Sequence, residues 1–418
     1  MKESLYIKKR QLQAKLLSLQ FYLCRIFPIK KNLIVVCTFE GKGGFGCNPK
    51  YVVKALHEKH PDLEFVWLVN QNAMDKNFPD YVKKVENSGW KRAYYLTRAK
   101  VWIDNYRKPY GTVKRKGQYY LNTNHYTLGI KTVGLWRGAG FSKMAYLVSK
   151  NDSDMIDNLI IDSKFGEIMS PKGLVYDGLY LKTGAPRCDV LYGNRTELKR
   201  EYRRNKNLPE DAKILMFAPT FREGAKDGKR FVYSEEWTVD FGRLIRNLER
   251  RFGGKWYIAF RVHPQLAPGF EDYKNPQIEG RIINESQADD LYEILAAMDA
   301  YMTDYSSACF EAGFAKMPVF IYADDIKQYE HDRGSLFWNM AENPRGNVTA
   351  NQDILKGLDV TFPFPIATNN EELEKDIMGF DELSYEKKLE KFHTDLGLVF
   401  TGHASETVAK KIEMVLNK

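Results

Sequence analysis

The apolar positions follow one pattern up to about residue 31 and another beyond it. In the first stretch Leu12, Leu16, Leu19 and Leu23 recur at helical spacing, with Leu17, Phe21, Tyr22, Ile26 and Phe27 beside them. Lys2, Lys8, Lys9, Arg10, Lys15, Arg25, Lys30 and Lys31 surround this set, so residues 1–31 read as a basic amphipathic helix suited to a lipid interface. The alternative is a helix packed on the first domain. From Leu33 the pattern becomes short apolar runs alternating with helical segments. LIVV at Leu33–Val36 and LEFVWLV at Leu63–Val69 read as strands, with a helix at about 49–60 between them. A helix over 81–87 and short strands over 93–96, 101–103 and 119–123 are expected to follow. A charged stretch, 195–211, carries little core and reads as the link to a second α/β run. There, strands are expected over 214–217, 256–262, 282–283, 300–303 and 319–322, with helices over 236–250, 291–298 and 306–315. This alternation predicts parallel sheets with crossover helices. The expected architecture is two Rossmann-like, doubly wound domains facing a cleft, residues 32–200 and 201–418, behind the segment 1–31. In such sheets ligands bind beyond the carboxyl ends of the strands, so the strand-end loops are where chemistry is expected.

Composition narrows the function classes. Hydrophobic residues at 44% and charged residues at 28% of 418 argue against extensive disorder. No run of 18 apolar residues exists to span a membrane, and no signal-peptide pattern is evident. The net charge of +9 favours a polyanionic partner, whether nucleic acid, anionic lipid or a phosphate-bearing substrate. The positive charge is spread along the chain, and no nucleic-acid-binding signature accompanies it, so nucleic acid is the weaker reading. The five cysteines are scattered without a CxxC pair and read as reduced, buried thiols.

Three strand-end constellations carry candidate chemistry. In Ala300-Tyr-Met-Thr-Asp-Tyr-Ser-Ser307 a strand ends at Thr303, a polar turn follows, and Ser306 or Ser307 opens a helix. Unpaired N–H groups and serine hydroxyls there can hold a phosphate, and simple N-capping is the alternative. In Phe260-Arg-Val-His-Pro264, Arg261 and His263 share one face of a strand end, suited to a pyrophosphate. In Lys114-Arg-Lys-Gly-Gln-Tyr-Tyr-Leu-Asn-Thr-Asn-His125, a basic run leads through a short strand to His125, placed to act as general base on a hydroxyl. Asp324-Asp325 can hold a divalent cation beside a diphosphate, but its place before a helix favours a capping role. Arg333, just beyond, can bring a guanidinium to the same pocket. No P-loop, nucleophile elbow or zinc signature is present.

Taken in order, the landmarks FxGKxxxxxNPKY (Phe39–Tyr51), KRKGQYYLNTNH, TGAPRCD (Thr183–Asp189), LMFAPTFR (Leu215–Arg222), FRVHP, TDYSS and YxxxRG (Tyr329–Gly334) resemble the CDP-glycerol glycerophosphotransferase family of teichoic acid and capsule synthesis. The resemblance spans about residues 33–415 and implies a GT-B fold. It implies transfer of glycerol phosphate or ribitol phosphate from a CDP-alcohol to a hydroxyl of a membrane-linked acceptor, at the cytoplasmic face of a bacterial membrane. His125 falls on the family's base, although Asn122-Thr-Asn-His-Tyr126 lacks the family's Trp and Gly around it. His263 falls on its second histidine, and Thr303, Asp304, Ser306 and Ser307 fall on its donor-diphosphate run, with Arg261 and Arg333 as further donor contacts. A divalent cation is left open. A nucleotide-sugar transferase and a silent membrane-associated glycan-binding module are the rival readings.

Overall fold

The computed structural model describes residues 3–125, 128–226, 229–233, 237–263, 266–271 and 273–417. Two compact units form. The first comprises Met1–Thr127, Val133–Asp189 and Val399–Lys418, and the second Leu128–Thr132 and Val190–Leu398.

The first unit is built on seven strands: β1 (Lys30–Cys37), β2 (Glu64–Val69), β3 (Val82–Glu86), β4 (Ala99–Asp104), β5 (Tyr119–Asn122), β6 (Asn158–Ile161) and β7 (Tyr180–Lys182). They pair in the order β3-β2-β1-β4-β5-β6-β7, every neighbour parallel. Ile34, Val35 and Val36 are wholly buried, because helices cover both faces of a parallel sheet and leave no side for polar residues. The sequence reading inverted one pair of elements. Residues 82–86, expected as helix, are β3, and 93–96, expected as strand, lie inside the Gly89–Arg98 helix. There Ala93, Leu96 and Thr97 are buried at helical spacing, so the short apolar run was one turn of a helix face.

The second unit carries β8 (Lys213–Phe217), β9 (Arg222–Lys226), β10 (Lys229–Tyr233), β11 (Trp256–Phe260), β12 (Ile282–Asn284), β13 (Ala300–Thr303), β14 (Val319–Tyr322) and β15 (Ile366–Ala367). Strands β9 and β10 form a separate antiparallel hairpin, and the rest pair in parallel as β12-β11-β8-β13-β14-β15. Both main sheets therefore run outward in two directions from their first strand, the doubly wound Rossmann-like order. The switch points lie between β1 and β4 and between β8 and β13, and ligands of this fold bind there.

The charged stretch read as a linker is not one. Its helix, Thr196–Asn205, belongs to the second unit, where buried Arg203 pairs with Asp299 at 2.6 Å and Arg195 donates to the carbonyls of Ala296 and Ala315. The C-terminal residues, expected in the second domain, belong to the first unit, where the Ala404–Leu416 helix packs on the Cys47–Lys59 helix. Asp189, the last residue of the TGAPRCD landmark, anchors that helix by accepting from the backbone N–H groups of Ala404 (3.0 Å) and Ser405 (2.7 Å) and from the Ser405 hydroxyl.

The Glu3–Leu23 helix packs Phe21 and Ala14 inward, while Leu5, Leu12, Leu16, Leu19 and Leu23 are each more than half exposed. Among the described residues no helix is long and apolar enough to cross a membrane.

Asp189→Ala leaves two helix-start N–H groups without their acceptor. It should destabilise the first unit by about 1–2 kcal/mol, as loss of an N-terminal cap does, read as a lower midpoint in urea unfolding.

Candidate functional site

At the switch point of the first unit, the turns after β1, β4 and β5 meet. Asn105, directly after β4, is fully buried; its Oδ1 accepts from the backbone N–H of Phe39 (2.8 Å). Its own carbonyl lies 3.0 Å from His125 Nδ1. A carbonyl only accepts, so the imidazole places its proton on Nδ1, and a neutral ring keeps its lone pair on Nε2. The rings of Phe39 and Tyr106 flank the imidazole at 5.7 Å and 5.3 Å between centroids. Burial, with the nearby Arg187 guanidinium, holds the His125 pKa down at about 4, against a smaller upward pull from the Asn105 carbonyl. The ring is thus neutral at physiological pH, the state a general base requires.

The turn that carries His125 is held from two sides. Asn124 has φ +55°, a left-handed conformation that asparagine tolerates better than most residues. Its backbone N–H donates to Asn122 Oδ1 and its own Oδ1 accepts from the His125 N–H, each at 2.8 Å. Tyr126, the residue after the proposed base, lies outside the described residues.

At the switch point of the second unit, Arg222 is the hub. It donates through Nε to Asp325 (2.7 Å) and through an Nη to Asp304 (2.9 Å), and its plane lies over the rings of Tyr305 and Tyr329, which stack on each other at 3.8 Å. The two carboxylates outweigh the cost of burial and raise the Arg222 pKa. Asp325 also accepts from the Tyr305 hydroxyl at 2.6 Å, and Asp304 from the backbone and hydroxyl of Thr220.

This geometry corrects several expectations. Asp304 does not face a phosphate; its carboxylate is consumed by Thr220, Arg222 and the Tyr305 N–H. Thr303 is buried and donates to the Ala218 carbonyl at 2.6 Å, tying β13 to the end of β8. Arg261 turns away from the expected diphosphate and donates to the carbonyls of Glu285 (2.7 Å) and Ala288 (3.0 Å), bracing the turn after β12. Asp324 and Asp325 form neither a cation clamp nor a side-chain cap. Asp324 accepts from Thr238, Asp325 serves Arg222, and the Ile326–Arg333 helix start has no side-chain cap bond. No cluster of three metal-ligating side chains occurs among the described residues.

Other expected residues stay at the strand ends. His263 follows β11, half-buried against the Phe221 ring at 4.4 Å, and burial together with Lys131 lowers its pKa. Pro264 lies outside the described residues. Ser306 and Ser307 follow β13, both partly exposed; Ser306 Oγ accepts from the Ala308 N–H at 3.4 Å, and Ser307 makes no capping bond to the Ala308–Phe314 helix. Arg333 ends the next helix, close enough to Tyr329 to lower that phenol's pKa against the larger upward effect of burial. Arg222, Asn105 and Arg187 are not among the site residues that the sequence leads one to expect. Arg222 and Arg187 do stand inside the LMFAPTFR and TGAPRCD landmarks, which was the available signal.

Residues 19–413 match the profile of a family described as CDP-Glycerol:Poly(glycerophosphate) glycerophosphotransferase. The chain is 26% identical to a teichoic acid poly(glycerol phosphate) polymerase of Staphylococcus epidermidis over 92% of its own length and 51% of the polymerase. It therefore spans about half of that relative. It is 28% identical to a teichoic acid glycerol-phosphate transferase of Staphylococcus aureus, over 79% of this chain and 85% of that one. In fold it is similar to the solved wall teichoic acid polymerase TagF, with a TM-score of 0.76 at 24% identity over 98% and 97% of the two chains.

With a folded pKa held below the ordinary histidine value, the unfolded chain takes up a proton on His125 first as pH falls. The resulting stability is present above the unfolded pKa and is lost between about 6.5 and about 4. His125→Gln should therefore lose less thermal stability than the parent between pH 7 and pH 4, read as melting temperature against pH.

Proposed function

The chain belongs to the CDP-Glycerol:Poly(glycerophosphate) glycerophosphotransferase family, and from that premise we propose that it transfers glycerol phosphate from CDP-glycerol to a hydroxyl of a teichoic acid-type acceptor. The acceptor oxygen attacks the phosphorus that bears the glycerol. A new phosphate ester bond forms, the bridging P–O bond breaks, and CMP leaves with the electron pair. His125 Nε2 takes the proton of the attacking hydroxyl. The observation that carries this reading is the tethered, neutral imidazole: a carbonyl holds Nδ1–H, and burial keeps the other nitrogen unprotonated, with its lone pair open to accept a proton. In the second unit, His263, Ser306, Ser307 and Arg333 are the donors proposed for the diphosphate. Their charge and hydroxyl hydrogens suit oxygens that gain negative charge as CMP departs. Asp304, Asp325 and Arg222 hold the strand-end turns that present them.

The acceptor is proposed to be membrane-linked, with the protein bound peripherally at the cytoplasmic face. The exposed leucine stripe of the Glu3–Leu23 helix, flanked by the exposed Lys8, Lys9 and Lys15, supports this. Such a face can sink into the headgroup boundary while the lysines meet anionic lipid.

His125→Ala should cut CMP release from CDP-glycerol, with membrane extract as acceptor, by roughly 10²–10⁴-fold and leave CDP-glycerol binding intact by calorimetry. Unchanged turnover would remove the base assignment, and faster CMP release from CDP-ribitol would reassign the polyol. Separately, joint Leu12→Gln, Leu16→Gln and Leu19→Gln substitution should lower co-sedimentation with phosphatidylglycerol vesicles by about tenfold or more. The melting temperature should hold, since these side chains contribute little to the core. Undiminished sedimentation would remove the membrane face.

A further inference from the structure

We infer that Asn48 is a positioning residue for His125, fixing the turn after β5 that aims the imidazole; the inference rests on His125 being the base. Asn48 is 2% exposed and its side chain joins three separate segments. Its Nδ2 donates to the carbonyls of Thr123 (2.8 Å) and Asn124 (3.0 Å), the two residues before His125. Its Oδ1 accepts from the backbone N–H of Arg187 at 3.0 Å.

An ordinary role in its own helix does not account for this arrangement. Asn48 is the second residue of the Cys47–Lys59 helix, whose N-cap is Gly46 with no side-chain bond. The amide does not turn back on the first-turn N–H groups, where asparagine acts when it caps. It reaches instead across to a strand-end turn and to the 186–191 turn. Two carbonyl oxygens converging on one nitrogen demand a donor, and the facing Arg187 N–H demands an acceptor. Of the side chains of this size, only an amide supplies both.

What the amide holds is the part of the backbone with the least intrinsic preference for its shape. Asn124 sits in the left-handed region, and its carbonyl is one of the two that Asn48 binds. The bond from Asn105 fixes the tautomer and one end of the imidazole; Asn48 fixes where the backbone beneath it lies. The same amide seats Arg187, whose buried guanidinium lies 3.3 Å from Cys47 Sγ and is the charged group that acts on the His125 ring. Loss of Asn48 thus loosens both the aim of the base and the cation that, second to burial, opposes its protonation.

The test compares full-length Asn48→Ala, Asn48→Asp and Asn48→Ser with the parent and with His125→Ala, using CMP release from CDP-glycerol with membrane extract as acceptor. Misplacement of a base by an ångström or so predicts a kcat lower by about 10²-fold in Asn48→Ala, with the donor KM within about twofold. Asn48→Asp should be worse than Asn48→Ala, because a carboxylate then faces two carbonyl oxygens. The acid limb of the kcat/KM profile should move to higher pH in Asn48→Ala and less in Asn48→Ser. A filler role predicts the opposite order, with the near-isosteric aspartate tolerated and the acid limb unmoved; that result overturns the inference, as does parent-like kcat in Asn48→Ala. If Asn48→Ala melts below the assay temperature, Asn48→Ser decides on the same two readouts. An active His125→Ala would instead sink the base assignment, so the two failures are told apart.

Discussion

A parallel sheet releases all its strands at one edge, and there the backbone's hydrogen-bonding groups pass from strand partners to whatever side chains can reach them. Buried groups left unpaired at that edge cost free energy on the scale of a lost hydrogen bond, so the edge must be closed. In both units polar side chains do this. Thr303 closes the end of β8 by binding the Ala218 carbonyl, Arg261 closes the turn after β12, and Asn48 closes the turn after β5. The candidate chemistry occupies the positions next to these closures. His125 lies one residue beyond a carbonyl held by Asn48, and Ser306 lies two beyond Asp304, which holds Thr220 and Arg222. Closure of the strand ends and placement of the reactive groups are one construction.

That relation explains which parts of the architecture could be read from the chain. Strands buried on both faces, such as Leu33–Val36, Ile214–Phe217 and Val319–Tyr322, announce themselves as unbroken apolar runs bounded by turn residues. The inverted pair near residues 82–98 fails for the converse reason. Val82-Lys-Lys-Val-Glu86 lies beside only one neighbour at the sheet edge and carries little apolar signal, whereas Ala93-Tyr-Tyr-Leu96 is rich in apolar residues yet helical. At the candidate sites the sequence reveals which residues stand at a strand end but not which way their side chains turn. Arg261 and His263 share a strand face, and both lie at the right edge. The guanidinium nonetheless bends back to carbonyls 24 and 27 residues away in sequence. The hub role of Arg222 is not legible in the sequence, because its carboxylate partners stand 82 and 103 residues further along.

The charges at the two switch points are handled differently, and the difference bears on what each can do. Arg222 is neutralised in place by Asp304 and Asp325 and lies over two tyrosine rings. A cation so matched is fixed in geometry and adds little net field, which suits a brace better than a phosphate clamp. Elsewhere in the second unit Arg333 ends the Ile326–Arg333 helix, and Lys131 lies within electrostatic reach of His263. At the first site burial and, after it, the Arg187 guanidinium oppose protonation of the imidazole. The first unit therefore keeps a histidine neutral, while the second balances its buried arginine.

The helix Glu3–Leu23 carries the same logic of pairing onto the surface. A single apolar stripe on such a helix would be met by the protein, and the expectation of one amphipathic face left open whether lipid or protein met it. Two opposite stripes resolve the chain's use of its apolar residues. Ala14 and Phe21 face the first unit's core, while Leu12, Leu16, Leu19 and Leu23 point away from it with Lys8 and Lys15 at their margins. Leu5, Leu12, Leu16, Leu19 and Leu23 are thus five exposed leucines aligned on one face, a contiguous stripe and not apolar residues scattered singly. Burial of that stripe in a lipid interface would repay its exposure.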